Sequence, residues 1–267
     1  MSDPNDMSFL DHLEELRFRI IRSVIAVAIG TVVLFIWKSL LLDIIFGPTK
    51  GDFVTYRAWC ALSHWMDLGD RLCIFDDQYT LISTKAMGSF FAHMTTAIVG
   101  GIVVAFPFIF WQFWSFIRPG LRMPEIKATR GMMAAVSLLF FSGVLFGYFV
   151  LAPLSVQFLL NYNFGVENMP DLRSYTKLIT ALCLATGLIF QLPVLVYFLS
   201  KIGLVTPELL KKYRRHALVV VLIISAIITP PDVTSQLLVS FPVLILYEVS
   251  VILSRRVNRK REANLAS

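Results

Sequence analysis

The sequence predicts an all-α polytopic membrane protein with six transmembrane helices. Of its 267 residues, 57% are hydrophobic and only 16% are charged, whereas soluble domains contain about 45–50% apolar and about 25% charged residues. A soluble fold of this length has too little interior to hide so many apolar side chains, so lipid must cover the remainder. These observations exclude soluble enzymes, disordered linkers and disulfide-rich scaffolds.

Six apolar runs without an internal lysine or arginine are the candidate transmembrane helices. A bilayer core of about 30 Å requires roughly 20 apolar residues in a helix. No small-residue cleavage site follows the first run, which begins behind an acidic segment, so we do not expect a cleaved signal peptide. In chain order the runs are Ser23–Trp37, Met87–Phe116, Gly131–Leu151, Leu178–Leu199, Ala217–Thr229 and Leu237–Ser254.

The fifth run is too short to cross a bilayer as an upright helix. Ala217–Thr229 has 13 residues, which make about 20 Å of helix. It meets Pro230 and Pro231, which cannot continue a helix because proline lacks the N–H donor and clashes with the preceding turn. Asp232 and Ser235 are suitable N-cap residues for the sixth run. We therefore predict that helices five and six are short and form a hairpin whose outer turn lies below the outer membrane surface. Short helices beside the longer ones would then leave a concave face.

Lysine and arginine are distributed unevenly between the two sides of the predicted bundle. The N-terminal segment, the loops 118–130 and 200–216 and the tail together carry 17 of the 24 basic residues. Basic residues favour cytoplasmic loops, so both termini are predicted to be cytoplasmic. The net charge of +6 is then explained without nucleic acid as a partner. We expect a single membrane domain over residues 1–267, with a cytoplasmic amphipathic segment (1–17), outer loops (38–86 and 155–177) and a cytoplasmic tail (255–267).

Residues that usually carry catalysis or metal binding do not form a recognisable set. We find no phosphate-binding loop, no paired cysteine or histidine metal spacing and no Ser-His-Asp arrangement, so we expect no enzyme activity, no cofactor and no metal. Glu248 in the sixth run and the neutral Gln191 in the fourth are among the few polar groups within spans, where ionisable residues are functional candidates. Cys60 and Cys73 share the first outer loop, where they either form a disulfide or remain two free thiols.

Two acidic residues on the predicted cytoplasmic face are candidates for binding a cationic ligand. The segment from Ser8 to Arg19 has a helical stripe of apolar residues, which by itself is also typical of an interfacial anchor. Glu15 lies in this segment, and Glu125 is the one acid among four bases in the loop 117–130. If the two segments are neighbours, the carboxylates form a pair that can hold two guanidinium groups through charge-assisted hydrogen bonds.

Five motifs in this sequence resemble the TatC family, the multispanning receptors of twin-arginine protein export. Each motif alone is a weak signal, but together they follow one order over nearly the whole chain and match a frame of six helices. The motifs are Phe9–Arg17, Phe113–Leu121, Gly147–Leu154, Phe190–Pro193 and Thr229–Gln236.

The resemblance implies a concave, TatC-like receptor and assembly scaffold in the bacterial inner membrane. TatC-like proteins bind the twin-arginine signal peptides of folded cargo on their cytoplasmic face. They assemble with TatA/TatB-type single-span membrane proteins and with further copies of themselves. By position, Glu15 and Glu125 would receive the two arginines and Phe116 would pack beside them. The N-terminal motif also places Leu16 and Arg17 at this peptide-binding site.

The resemblance implies further roles away from the peptide site. Gln191 would bond a polar group on a partner helix, although it is uncharged where the family often has an acidic residue. The remaining matches are to structural or family-motif positions, namely Pro48, Pro119, Asp232 and Gln236.

Two other classes of function compete with the export receptor. A small-solute secondary transporter is favoured by inverted repeats and by charged residues at the midplane, and the sequence shows no such repeat and few such charges. An intramembrane enzyme requires a catalytic set that the sequence lacks. The five motifs therefore favour the export receptor.

Overall fold

The computed structural model describes residues 9–67, 69, 73, 81–117, 129–161, 169–229 and 233–266. Apart from an isolated bridge between Ile82 and Asp171, these residues form no β-structure, and the predicted all-α class is confirmed. A 3₁₀ turn (Gly47–Thr49) precedes α3, and a π-helical turn (Gly147–Leu151) joins α5 to α6. The helices are α1 (Phe9–Ile36), α2 (Lys38–Ile45), α3 (Val54–Trp65), α4 (Gly88–Ile117), α5 (Thr129–Phe146), α6 (Ala152–Asn161), α7 (Leu172–Ile189), α8 (Leu192–Lys201), α9 (Pro207–Lys212), α10 (Arg214–Ile228) and α11 (Val233–Ala266).

Five stretches within the described residues are long and apolar enough to cross a membrane. Each overlaps one of the six predicted runs, although the bounds differ. The remaining run is α10, whose 15 residues make only about 22 Å of helix. Apolar side chains such as Ile36 and Ile227 are 71% and 78% exposed, as expected for a multi-pass membrane protein whose surface faces lipid. The five stretches are Leu13–Ile36, Gly88–Phe116, Gly131–Leu159, Leu172–Lys201 and Ser235–Arg259.

The prediction of a short last helix is wrong. Helix α11 has 34 residues and continues from Val233 to Ala266. The apolar run ends near Ser254, but the residues that follow are mostly arginine, lysine, glutamate, alanine and leucine. These residues have high helix propensity, so the helix continues beyond the apolar run.

The helices define two ends of the bundle. We call one the basic end, where α4 and α8 finish, and the other the cap end, where α2, the 3₁₀ turn and α3 together form the cap. At the basic end α4 and α8 finish together, because the rings of Trp114 and Phe198 lie 4.7 Å apart. The end of α8 also meets α11, where the Ser200 and Ser254 hydroxyls are hydrogen-bonded over 2.7 Å. At the cap end lie α2, the 3₁₀ turn and α3, which follow the end of α1.

Helices α1 and α4 pack closely through glycines. A Cβ atom built on Gly30 would lie only 3.2 Å from the Cα of Gly101, and one built on Gly101 would lie 2.7 Å from the backbone nitrogen of Thr31. Further along the same pair, the rings of Phe35 and His93 stack with their centroids 4.2 Å apart. Small residues at helix interfaces in lipid allow such backbone contact, so the two helices run antiparallel in one fixed register.

The π-helical turn is linked to a proline and to the cap. Pro153 has no N–H to donate to the carbonyl of Phe149 four residues earlier. The Thr55 hydroxyl of α3 donates to that carbonyl over 2.5 Å instead. On the other side of the turn, Gly147 packs against the backbone of α7, where an added Cβ would lie 3.0 Å from the Cα of Cys183.

Two tyrosines attach the cap to the bundle, and a third lies within the cap. The hydroxyls of Tyr148 and Tyr175 donate to the carbonyls of Ile44 and Ile45 over 2.5 and 2.7 Å. Both carbonyls lie at the end of α2, where helical partners run out. The cap therefore satisfies its own terminal carbonyls with side chains from the spans, and within the cap Tyr56 donates to the carbonyl of Pro48.

Candidate functional site

Glu15 lies on the side of α1 that packs against α4. Glu15, Leu16 and Arg19 are half-buried, whereas Glu14 and Arg17 are exposed. The half-buried positions recur at helical spacing along α1 and reach the glycine contact with α4. The stripe continues through Ser23, Ala26, Val27, Gly30, Thr31 and Leu34.

Glu15 forms an ion pair with Arg19 one helical turn later. Arg19 Nε donates to Glu15 Oε1 over 3.0 Å, and Arg19 Nη2 contacts the same oxygen. The two side chains are only 28% and 17% exposed, so water screens the pair less than it would on an open surface. The sequence prediction missed this pair, although its spacing of four residues is a readable signal.

The register of α1 and α4 places Glu15 and Phe116 at the same level of the bundle. From the Gly30–Gly101 contact, fifteen residues lead back along α1 to Glu15 (30 to 15), and fifteen lead forward along α4 to Phe116 (101 to 116). Both steps amount to about 22 Å. Glu15 and the half-buried Phe116 therefore both belong to the basic end.

The connection that carries Glu125 begins and ends at this same level. The rings of Phe106 and Phe140 stack 3.5 Å apart, and eleven residues from each lead to Ile117 and to Thr129, where α4 ends and α5 begins. The connection 118–128 therefore starts and finishes at the basic end. Glu125 and Pro119 themselves lie outside the described residues.

Gln191 occupies the break between α7 and α8. Its Nε2 donates to the backbone carbonyl of Val136 on α5 over 3.3 Å. Its Oε1 is buried and has no hydrogen-bond partner among the described residues. The amide nitrogen thus bonds the protein's own helices, whereas the amide oxygen is an acceptor without a donor in the part of the chain that the structure describes.

Glu248 is not an isolated charge within its span. Its Oε2 accepts a hydrogen bond over 2.5 Å from Arg214 Nη2 at the start of α10, and both side chains are about half exposed. The adjacent Tyr247 hydroxyl donates to the carbonyl of Leu210 over 2.7 Å. These contacts join α11 to α9 and α10 near the basic end, which suits a structural ion pair.

The other predicted residues lie away from Glu15. Pro48 is buried in the cap, and Gln236 on α11 donates to the carbonyl of Leu222 on α10 over 3.1 Å. Asp232 lies outside the described residues. Cys60 and Cys73 are joined by a disulfide in the cap. His64 lies close to both sulfurs, but these are bonded to each other and so are not thiolate ligands for a metal.

Comparison with known proteins identifies the family. Residues 11–242 match the family model of the Sec-independent protein translocase protein TatC. A protein of that name from Blattabacterium is 38% identical over 97% of this chain and 99% of its own length. The chain belongs to the TatC family.

Other TatC proteins and TatC crystal structures agree with this assignment. TatCy of Bacillus subtilis is 32% identical, covering 98% of this chain and 94% of its own length. A crystal structure of the twin-arginine translocase receptor TatC in the detergent DDM superposes with a TM-score of 0.73 and 31% identity. That likeness covers 91% of this chain and 99% of the crystallised one. The resemblance read from the five sequence motifs is confirmed, and the relatives are named as protein translocase components.

Proposed function

We propose that this TatC protein is the receptor for twin-arginine signal peptides and the scaffold on which the export complex assembles. The observation that carries the proposal is the common level of Glu15, Phe116 and the two ends of the connection 118–128. Glu15 supplies a carboxylate that already binds a guanidinium, that of Arg19. Glu125 supplies the second carboxylate, so each arginine of the signal has a bidentate acceptor.

Arginine recognition at this site follows from charge and geometry. A guanidinium is permanently charged and planar, and it presents paired donors to a carboxylate, whereas lysine presents a single compact ammonium. Two carboxylates that each bind a guanidinium in this way discriminate against a twin-lysine peptide. Phe116, half-buried at the same level, offers an aromatic surface on which a guanidinium stacks.

We infer a topology with both termini in the cytoplasm of a bacterium and the protein in its inner membrane. The basic end holds the start of α1, the end of α4 and the end of α11, and basic residues favour the cytoplasmic side. Helix α10 then acts as a short sixth span between the cytoplasm and the turn at 230–232. On this view residues 1–267 form one membrane domain.

We also propose that Gln191 contributes to a contact with a TatA/TatB-type single-span partner. Its buried Oε1 lacks a donor among the described residues, and a polar group on an incoming helix would satisfy it. We further propose that several copies of the receptor work together in the export complex.

The experiment is photo-cross-linking of a twin-arginine signal peptide to the membrane-inserted protein. Glu15→Ala and Glu125→Ala should each abolish the cross-link while leaving insertion unchanged, and a twin-lysine peptide should fail with the wild-type chain. Glu14→Ala is the matched control, because Glu14 is adjacent but exposed, and it should cross-link normally. An undiminished cross-link in both test variants would refute the proposal.

A further inference from the structure

A cavity of about 480 Å³ lies between α2, α4 and α7 at the cap end. It is separate from the proposed peptide site, which lies at the opposite end of α1 and α4. Most of the described residues that line it are apolar, and several are contributed by α2. The apolar lining comprises Leu41, Leu42, Ile45, Phe46, Phe90, Ala92 and Leu172.

Lys38 and His93 are the groups of this lining that can bind an anion. Lys38 is exposed at the start of α2 and makes no ion pair with a described residue. The Nε2 atom of His93 is buried and has no hydrogen-bond partner among the described residues. Stacking on Phe35, with centroids 4.2 Å apart and planes 16° from parallel, fixes the imidazole ring. A buried polar atom without a partner costs free energy, so a ligand that bonds Nε2 is favoured.

The other polar side chains of the lining, Ser89, Thr96 and Thr176, are neutral and leave the net charge of the cavity unchanged. The hydroxyls of Thr96 and Thr176 donate to the carbonyls of their own helices, at Ala92 and Leu172. None of the described lining residues is acidic. Among its described lining residues, the cavity therefore has one positive charge, one imidazole nitrogen without a hydrogen-bond partner and an otherwise largely apolar surface.

We propose that this cavity binds an anionic phospholipid, with the phosphodiester held by Lys38 and by the N–H of His93. The apolar residues of α2 and α7 then contact an acyl chain. Lysine and histidine donate charge-assisted hydrogen bonds to phosphate oxygens, and the volume lies within the range of small-molecule sites.

Native mass spectrometry of the full chain in detergent, after delipidation, compares the binding of the phospholipid with the binding of its apolar part and of its phosphate. The probes are dioctanoyl phosphatidylglycerol, dioctanoylglycerol, which lacks the phosphate, and inorganic phosphate. We expect one phosphatidylglycerol retained per chain, bound at least about tenfold more tightly than dioctanoylglycerol, since hydrogen bonds to charged groups carry a gain of this size. Displacement of the lipid by an equal concentration of either of the other probes would overturn the proposal.

Substitutions locate the site. Lys38→Gln and His93→Phe, the latter retaining the ring stack with Phe35, should each weaken phosphatidylglycerol retention about tenfold. Lys177→Gln is the matched control, since Lys177 is an exposed lysine on α7 next to Thr176 but does not line the cavity. Equal retention by the two test variants and the control would contradict the assignment. Monodisperse elution and unchanged helicity establish that each variant is folded. If a variant does not fold, the competition experiment with the wild-type chain still tests the proposal.

Discussion

Gly30 and Gly101 bring the backbones of α1 and α4 into contact, with a Cβ built on Gly30 only 3.2 Å from the Cα of Gly101. This contact sets the register that places Glu15 level with Phe116. It also occurs 15 residues from the site, so the geometry of the basic end depends on a position that has no direct contact with a ligand.

Replacing Gly101 by leucine should force the two helices apart. An added Cβ would lie 2.5 Å from Thr31 Oγ1 and 2.7 Å from the backbone nitrogen of Thr31. Backbone atoms cannot move aside without a substantial cost in free energy. We expect a loss of about 1–3 kcal/mol in the free energy of unfolding together with weaker peptide binding, measured by denaturation in detergent and by fluorescence anisotropy. Gly131→Ala is the control, since no atom lies within 4 Å of its Cβ position, and a loss of the same size there would contradict this explanation.

Removing the Thr55 hydroxyl should destabilise the cap. Thr55→Val keeps the side-chain shape but removes the hydroxyl that donates to the Phe149 carbonyl. The expected cost is about 1–3 kcal/mol in the free energy of unfolding. Thr55→Ser restores the hydroxyl and should recover most of the stability in the same assay; a serine variant as unstable as the valine variant would show that the hydrogen bond is not the cause.

Arg19 occupies Glu15 before any signal peptide arrives, so its removal should strengthen peptide binding. An intrahelical pair of this spacing contributes about 0.3–0.5 kcal/mol, which corresponds to roughly a twofold lower Kd for a twin-arginine peptide with Arg19→Gln. Anisotropy of a labelled peptide measures the change. Arg22→Gln, an exposed arginine nearby, serves as control.

Weaker binding by the Arg19→Gln variant would give Arg19 the opposite role. It would then orient the carboxylate of Glu15 rather than compete for it. The control should leave the Kd unchanged in either case.

Asp171 should make the link between the two loops of the cap end sensitive to acid. Partial desolvation raises its pKa, but hydrogen bonds from Thr84 and Ser174 outweigh it and hold the pKa below its ordinary value of 3.8. A depressed carboxyl pKa stabilises the fold above the ordinary value, and this contribution is lost as the pH falls through the depressed one. Hydrogen exchange of the Leu172 amide, which donates to the Ile82 carbonyl, should therefore accelerate on acidification below about pH 4 after correction for the intrinsic rate.

Asp171→Asn provides the comparison for this effect. The variant has no carboxylate to protonate, so its corrected exchange rate should change little over the same range of pH. An equal acceleration in both proteins would assign the acid sensitivity to another group.

The sequence predicted the membrane class and the apolar spans because lipid-facing helices need long apolar runs, whatever their tertiary contacts. Helix ends were predicted less well. The end of α11 was placed at Ser254, although Arg255 and the residues after it have good helix propensity. The start of α7 was also placed too late, at Leu178, because Arg173 and Lys177 interrupt the apolar run, whereas Asp171 caps the helix by accepting from the Ser174 amide.

The proposed site rests both on sequence motifs and on the packing of the helices. Glu15 and Phe116 follow from motif resemblance, but their common level depends on the glycine contact between α1 and α4, which no local pattern reveals. The ion pair between Glu15 and Arg19 could be predicted from their spacing of four residues along a helix. The unsatisfied Nε2 of His93 and the cavity beside it arise from packing among α2, α4 and α7, so they required the structure.

A double-mutant cycle between Glu15 and the signal peptide tests the proposed peptide-binding site most directly. Kd values are measured for the wild-type chain and Glu15→Gln, each with the twin-arginine peptide and with peptides in which one arginine or the other is glutamine. If Glu15 binds one of the arginines, its substitution and that of the paired arginine should be non-additive by at least about 1 kcal/mol, whereas the other arginine should couple to Glu125. Additive effects for both arginines would mean that Glu15 does not contact the signal.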